Sequence, residues 1–414
     1  MNLLNDSYEI ISYMLKNKEI FYNSLNVFLL KNVRTGKEIA DIKRVYILFF
    51  KHYYLYKKIT KELLSKVTLN LTTYIGVSFL VSKYFKLIDL NEIIEFLKKA
   101  LENNKEKYDD IIEQCLIDYS NNKNYTFKQL KKRSIEHLSI LFNLPEWFIQ
   151  MILNQQNSDI AKQVFESFNA KNKNYFLQSK LENLDDIDLI ELKSFKKCNN
   201  NLYLEENGGS ELIKKNIFIR TSEFFEYIFQ NDLKQVNKYI TLYQSEKGSF
   251  FYRFLNEYLY KNNVINLAFE SFFENPDAIK NISPKQIKDL FIYESTVGQM
   301  IAHLNYKQDL IFYVPKSTNF EEFYLHPEYV IIFDQKNIDK LILNQKEGLN
   351  EISKHIAQNG LLVYVVETID KKETSNVIDD FLKTDPEFEL LKSEAIFPTN
   401  EKKIFGYYAI LKRK

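Results

Sequence analysis

Gly360-Leu361-Leu362-Val363-Tyr364-Val365-Val366 is followed by Glu367-Thr368-Ile369-Asp370, by Lys371 to Ser375, and then by Asn376-Val377-Ile378-Asp379-Asp380-Phe381-Leu382. A short, unbroken apolar run entered through a glycine suits a strand buried on both faces, because alternation is lost where neither face meets water. The later apolar positions Val377, Ile378, Phe381 and Leu382 fall on one face of a helix. The stretch therefore reads as strand, loop and helix of an α/β sheet. In such sheets ligands meet the loops beyond the carboxyl ends of the strands, which puts Glu367 to Lys372 at the working edge.

Upstream, two other periodicities frame this unit. From Tyr8 to about Ser120 apolar residues recur at three and four spacing, as in Ile42, Val45, Tyr46, Phe49 and Phe50, with hardly a Gly or Pro between them. That pattern predicts an all-α bundle. From about Asn199 short strand-like runs alternate with helical ones, which predicts a mostly parallel sheet with crossovers. A chain of 414 residues is too long for one core, so two or three domains are expected.

Composition narrows the classes further. Lys and Arg number 56 against 55 Asp and Glu, so no global field draws the chain to nucleic acid, and any such attraction must be local. One local candidate exists. Lys123, Lys128, Lys131, Lys132 and Arg133 lie close together, with Tyr125 and Phe127 among them and no acid between. Basic side chains neutralise phosphates and aromatic rings stack on unpaired bases, so this run is the best RNA contact in the sequence; the competing reading is a solvated linker. Cys115 and Cys198 stand far apart without partners at metal spacing, which supports neither a disulfide framework nor a metal site. No apolar run approaches the ~20 residues of a membrane span, and a cytoplasmic monomer is expected.

The wording around Gly360–Phe388 resembles the last part of the bacterial 16S rRNA cytosine-C5 methyltransferases of the RsmB or Sun family. There a strand ends in Ser-Thr-Cys-Thr-Ile, an acidic loop follows, and the helix closes on His-Pro-Glu-Phe, as Asp385-Pro386-Glu387-Phe388 does here. Three further matches keep the family's order: Pro145-Glu146-Trp147 before the catalytic part, Leu325-His326-Pro327-Glu328 in place of an Arg-Arg-His-Pro-Asp stretch, and the closing Gly406-Tyr407-Tyr408 strand with its basic end. The resemblance implies a NusB-like RNA-binding bundle over residues 1–130, a connector over 131–200, and a Rossmann-like class I methyltransferase fold over 201–414.

Cytosine C5 is a poor nucleophile, so the family's chemistry needs a thiolate to add at C6, with S-adenosylmethionine held by a glycine-rich loop and an acid on its ribose. The resemblance places Lys316, in Tyr313-Val314-Pro315-Lys316-Ser317-Thr318, at one family cysteine and Glu367 at the other. A lysine near its ordinary pKa of about 10.4 is protonated, and a carboxylate does not add to a pyrimidine at useful rates. The cofactor loop falls on Thr241 to Phe251, where Gly248 alone survives and the acid has become Leu242. The next acidic contact becomes Ala268, with Glu270 two residues late. No catalytic residue is expected, and no cofactor, unless Gly248 and Glu270 retain the S-adenosylmethionine pocket. An ion pair between Lys316 and Glu367 would fill the old cleft. The leading expectation is an inactive, RNA-binding relative acting on rRNA or in ribosome assembly. An active rRNA methyltransferase and a protein scaffold without an RNA role are the alternatives.

Overall fold

A computed structural model describes residues 3–121, 134–169, 290–320, 326–399 and 405–414, together with strands, one short helix and single core positions between 170 and 289 and Phe323. The chain forms two compact units, one of residues 1–156 with 322–334, the other of residues 157–321 with 335–414.

The first unit is helical, as its periodicity predicts. Its described helices are α1 (Leu3–Asn17), α2 (Phe21–Lys31), α3 (Gly36–Lys51), α4 (Tyr53–Leu63), α5 (Leu69–Tyr84), α6 (Leu90–Asn103), α7 (Asp110–Ser120), α8 (Ile135–Phe142), α9 (Glu146–Gln155) and, far along the chain, the short α13 (Tyr329–Ile332). α5 is apolar or small nearly all round and buries eleven residues, so it serves as the axis of the bundle. Gly76 lets it approach its neighbours, since a Cβ there would stand 2.5 Å from the Phe49 ring. Helix starts are marked by side chains that accept from free backbone N–H groups, Thr35 for α3, Thr68 for α5 and Asp109 for α7.

In the second unit α10 (Ser158–Asn169) precedes a small antiparallel sheet of β1 (Tyr175–Gln178), β2 (Phe195–Lys197), β3 (Leu202–Glu205) and β4 (Phe218–Thr221), in the order β2-β3-β1-β4. This corrects the expectation that parallel pairing begins near Asn199. The connection from Lys197 to Leu202 is of hairpin length, and a turn that short joins only antiparallel strands.

Parallel pairing begins at β5 (Tyr239–Gln244) and continues through β6 (Val264–Phe269), β7 (Leu290–Glu294), β8 (Gln308–Val314) and β9 (Ile356–Val366); β10 (Phe388–Ile396) and β11 (Gly406–Arg413) form an antiparallel hairpin at one edge. The order β10-β11-β9-β8-β5-β6-β7 is that of a Rossmann-like methyltransferase-type sheet. Successive residues serve opposite faces. Ile240, Leu242, Leu310, Phe312, Val363 and Val365 meet α11 (Phe224–Phe229) and Phe250, Phe254 and Tyr258. Tyr243, Ile311, Tyr313, Tyr364 and Val366 meet α12 (Val297–His303), α14 (Asn337–Ser353) and α15 (Ser375–Thr384). Burial on both faces is why β9 reads as an uninterrupted apolar run. Tyr243, Tyr313 and Tyr364 stand side by side across three strands, and Gly348 of α14 makes room for one of them: a Cβ there would fall 2.1 Å from the Tyr313 hydroxyl.

Candidate functional site

The strand order reverses at β5, whose neighbours β6 and β8 lead to opposite ends of the sheet, and ligands of such sheets bind outside the carboxyl ends at this point. The edge is formed by Gln244 at the end of β5, Val314 at the end of β8 and Val366 at the end of β9. Gln244 is buried, and its side-chain oxygen has no hydrogen-bond partner among the described residues. Because β8 and β9 pair in register at Tyr313 and Tyr364, the segments Pro315–Thr318 and Glu367–Thr374 leave the sheet side by side.

A buried carboxylate ties these segments together. Glu373 is fully buried and accepts from the Thr318 backbone N–H at 3.0 Å, the Thr318 hydroxyl at 2.7 Å, the Gln345 amide of α14 at 3.0 Å and, more distantly, the Thr368 hydroxyl at 3.4 Å. The same Gln345 nitrogen donates to the Lys316 carbonyl at 2.9 Å, and the Tyr364 hydroxyl donates to the Glu373 carbonyl at 2.8 Å. Burial pushes the Glu373 carboxyl up to about 7; the hydrogen bonds from Thr318 and Gln345 oppose the rise, and the charge of Asp370 adds to it.

Lys316 and Glu367 do arrive at adjacent strand ends, the first exposed and the second half-buried. The Glu367 carbonyl accepts from Phe320 N–H at 3.2 Å. Cys115 belongs to α7 of the helical unit, where it packs against that unit's core. Cys198, Gly248, Glu270 and the run Lys123, Lys128, Lys131, Lys132 and Arg133 lie outside the described residues. At the described positions that the resemblance aligns with the family's S-adenosylmethionine contacts, the side chains are apolar. Leu242, at the place of the cofactor loop's acid, and Ala268, at that of the acidic ribose contact, are fully buried apolar residues, and the fully buried Phe250 packs edge-on to Phe225 at 4.9 Å between ring centres. No group of His, Cys, Asp and Glu among the described residues could hold a metal ion. Likewise, no described helix is long and apolar enough to cross a membrane.

Glu373 escaped the sequence reading because Lys371-Lys372-Glu373 looks like a solvated charged turn. Glu328 escaped it too. In the helical unit Glu328 is fully buried and accepts from the Phe21 backbone N–H at 3.2 Å and from the Tyr46 hydroxyl, with His326 Nδ1 3.7 Å away. Burial raises its carboxyl, but the bonds from His326, Tyr46 and Phe21 outweigh burial and hold it below the usual range. The only available signal was the Leu325-His326-Pro327-Glu328 segment itself, which fills the place of a polar family stretch.

No family model matches the chain, and no curated protein does either. Among solved structures, PH0851 superposes with a TM-score of 0.69 at 15% identity, covering 99% of this chain and 99% of that one. A methyltransferase homolog protein from Pyrococcus horikoshii superposes with a TM-score of 0.50 at 13% identity, covering 69% of this chain and all of that one. At such identities the likeness is one of fold.

Proposed function

We propose that this chain is a non-catalytic, RNA-binding protein on a methyltransferase fold, acting on rRNA or in ribosome assembly. The observation that carries the reading is the pair of residues at the carboxyl ends of β8 and β9. Where the resemblance puts two cysteines, Lys316 and Glu367 leave the sheet side by side. Without a thiolate among the described residues of that edge, addition to pyrimidine C6 has no starting point. The buried Leu242 and Ala268 argue in the same direction for the methyl donor, because neither can bond a ribose hydroxyl.

RNA retention then falls to local basic surface. Lys123, Lys128, Lys131, Lys132 and Arg133, with Tyr125 and Phe127, supply charge for phosphates and rings for bases. Two assays test the reading. Incubation with tritiated S-adenosylmethionine and 16S rRNA is expected to transfer no label, and clear incorporation refutes the inactive reading. Filter binding to 16S rRNA fragments is expected to weaken when Lys128, Lys131, Lys132 and Arg133 are all changed to Gln, with a shallower salt dependence. Unchanged retention favours a protein scaffold instead.

A further inference from the structure

We propose that Glu373 is the positioning residue of the edge formed by β8 and β9: as a carboxylate it fixes the loop that carries Lys316, and on taking up a proton it lets that loop go. The inference stands apart from the RNA-binding reading, since its test follows the backbone of this loop and no ligand.

The geometry carries it. Two residues of the loop are held, Thr318 directly through its N–H and its hydroxyl, and Lys316 through a carbonyl bonded to the Gln345 nitrogen that also serves Glu373. One carboxylate and one amide therefore bear on the path of Pro315–Thr318, beside the contact of the Thr318 and Thr368 hydroxyls at 2.8 Å and the Phe320 N–H bond to the Glu367 carbonyl. Gln345 is fully buried, and its side-chain oxygen has no hydrogen-bond partner among the described residues. A buried acceptor left idle beside a carboxylate is costly, which favours a second arrangement that uses it. Protonation provides that arrangement. The proton comes from solvent, Glu373 becomes an O–H donor, and a half-turn of the Gln345 amide brings its oxygen to that donor. The same half-turn takes the nitrogen away from the Lys316 carbonyl, so the proton on Glu373 is exchanged for the grip on Lys316.

The surrounding charges leave this equilibrium open. On its own loop Glu373 faces Asp370, a like charge, which is itself buried and accepts the Lys372 N–H at 3.0 Å. From β9 it meets the neutral Tyr364 hydroxyl, and from the β8 loop neutral threonine groups, with the Lys316 side chain exposed. From α14 it meets the Gln345 amide, while Lys346 of that helix turns to Asp380 of α15 at 2.7 Å. Uncharged donors hold the carboxylate without pinning its charge, and burial brings its titration to about 7.

Amide hydrogen exchange on the full chain between pH 5.5 and 8.5, corrected for the intrinsic rate, tests this directly. Protection of the peptide spanning Val314–Phe320 is expected to fall roughly tenfold on going from the alkaline to the acid end, as a charge-assisted bond gives way to a neutral one. Peptides of α5 serve as reference and should stay level. In Glu373→Gln the loop is expected to exchange fast at every pH; in Gln345→Met, which keeps Glu373 but removes the amide, the acid-induced loss should shrink. Level protection across the pH range in the unaltered protein overturns the proposal without any variant, and so does full alkaline protection in Glu373→Gln.

Discussion

Glu328 of the helical unit and Glu373 of the sheet unit are both fully buried carboxylates, each fed by several donors, yet their titrations move in opposite directions. Glu328 has an imidazole close by as well as a phenol and a backbone N–H, and these hold it ionised. Glu373 has hydroxyls, an amide and a backbone N–H, and its charged neighbour is Asp370. Burial alone therefore does not decide whether a carboxylate is an anchor or a titrating group. The donors that its neighbours offer do, together with a like charge such as that of Asp370.

The largest expected effect tests the anchor. Glu328→Ala strands the Tyr46 hydroxyl and the Phe21 N–H in the core and should cost the helical unit about 4 kcal/mol. Denaturant titration followed by fluorescence of Trp147 reports it, because this sole tryptophan stacks on Phe333 at 5.6 Å in the same unit. A loss under 1 kcal/mol would remove the anchor from the comparison.

The second effect concerns pH and has opposite signs at the two sites. The Glu373 carboxyl is raised from 4.5 to about 7, so between those values the folded chain binds a proton that the unfolded chain has released. Its contribution is full below 4.5 and is lost as pH rises through about 7, a change of roughly 3 kcal/mol. For Glu328, lowered from 4.5, the contribution is present above that value and is lost as pH falls through its folded titration. Urea unfolding at several pH values should show the loss toward neutrality in the unaltered protein and a flatter profile in Glu373→Gln. The difference between the two profiles is the quantity to read, since His52 and His355, both lowered by burial, pull the other way.

Two smaller changes sharpen the contrast. Gly348→Ala drives a Cβ against the Tyr313 hydroxyl and should cost about 2 kcal/mol by calorimetry, disturbing α14 one turn from Gln345. Thr68→Ala removes the cap on the Leu71 N–H at 3.1 Å and should cost about 1 kcal/mol. Carrying no titratable group, it should lower the helical unit's stability equally at every pH.

How far the sequence was legible follows from the reach of each interaction. The core of β9 and the helix after it were readable because period and burial are local properties. The strand starts earlier, at Ile356, since the left-handed Asn359, with φ 62°, sits beside Gly360 where the register with β8 shifts and conceals its beginning. The side-by-side placement of Lys316 and Glu367 was readable through the resemblance. Neither buried carboxylate was. Glu373 is buried by Thr318, 55 positions away, and Gln345, 28 away, while Glu328 bonds a backbone N–H 307 positions distant. A charged residue in a charged turn gives no local sign of such partners.

That last separation bears on how the protein is made. α2 and α3 leave the ribosome early, but the acid that satisfies Phe21 and Tyr46 emerges only after most of the sheet strands have been synthesised. The amino-terminal helices must therefore wait, incompletely satisfied, through much of translation, and a fragment ending at residue 156 would carry that deficit permanently.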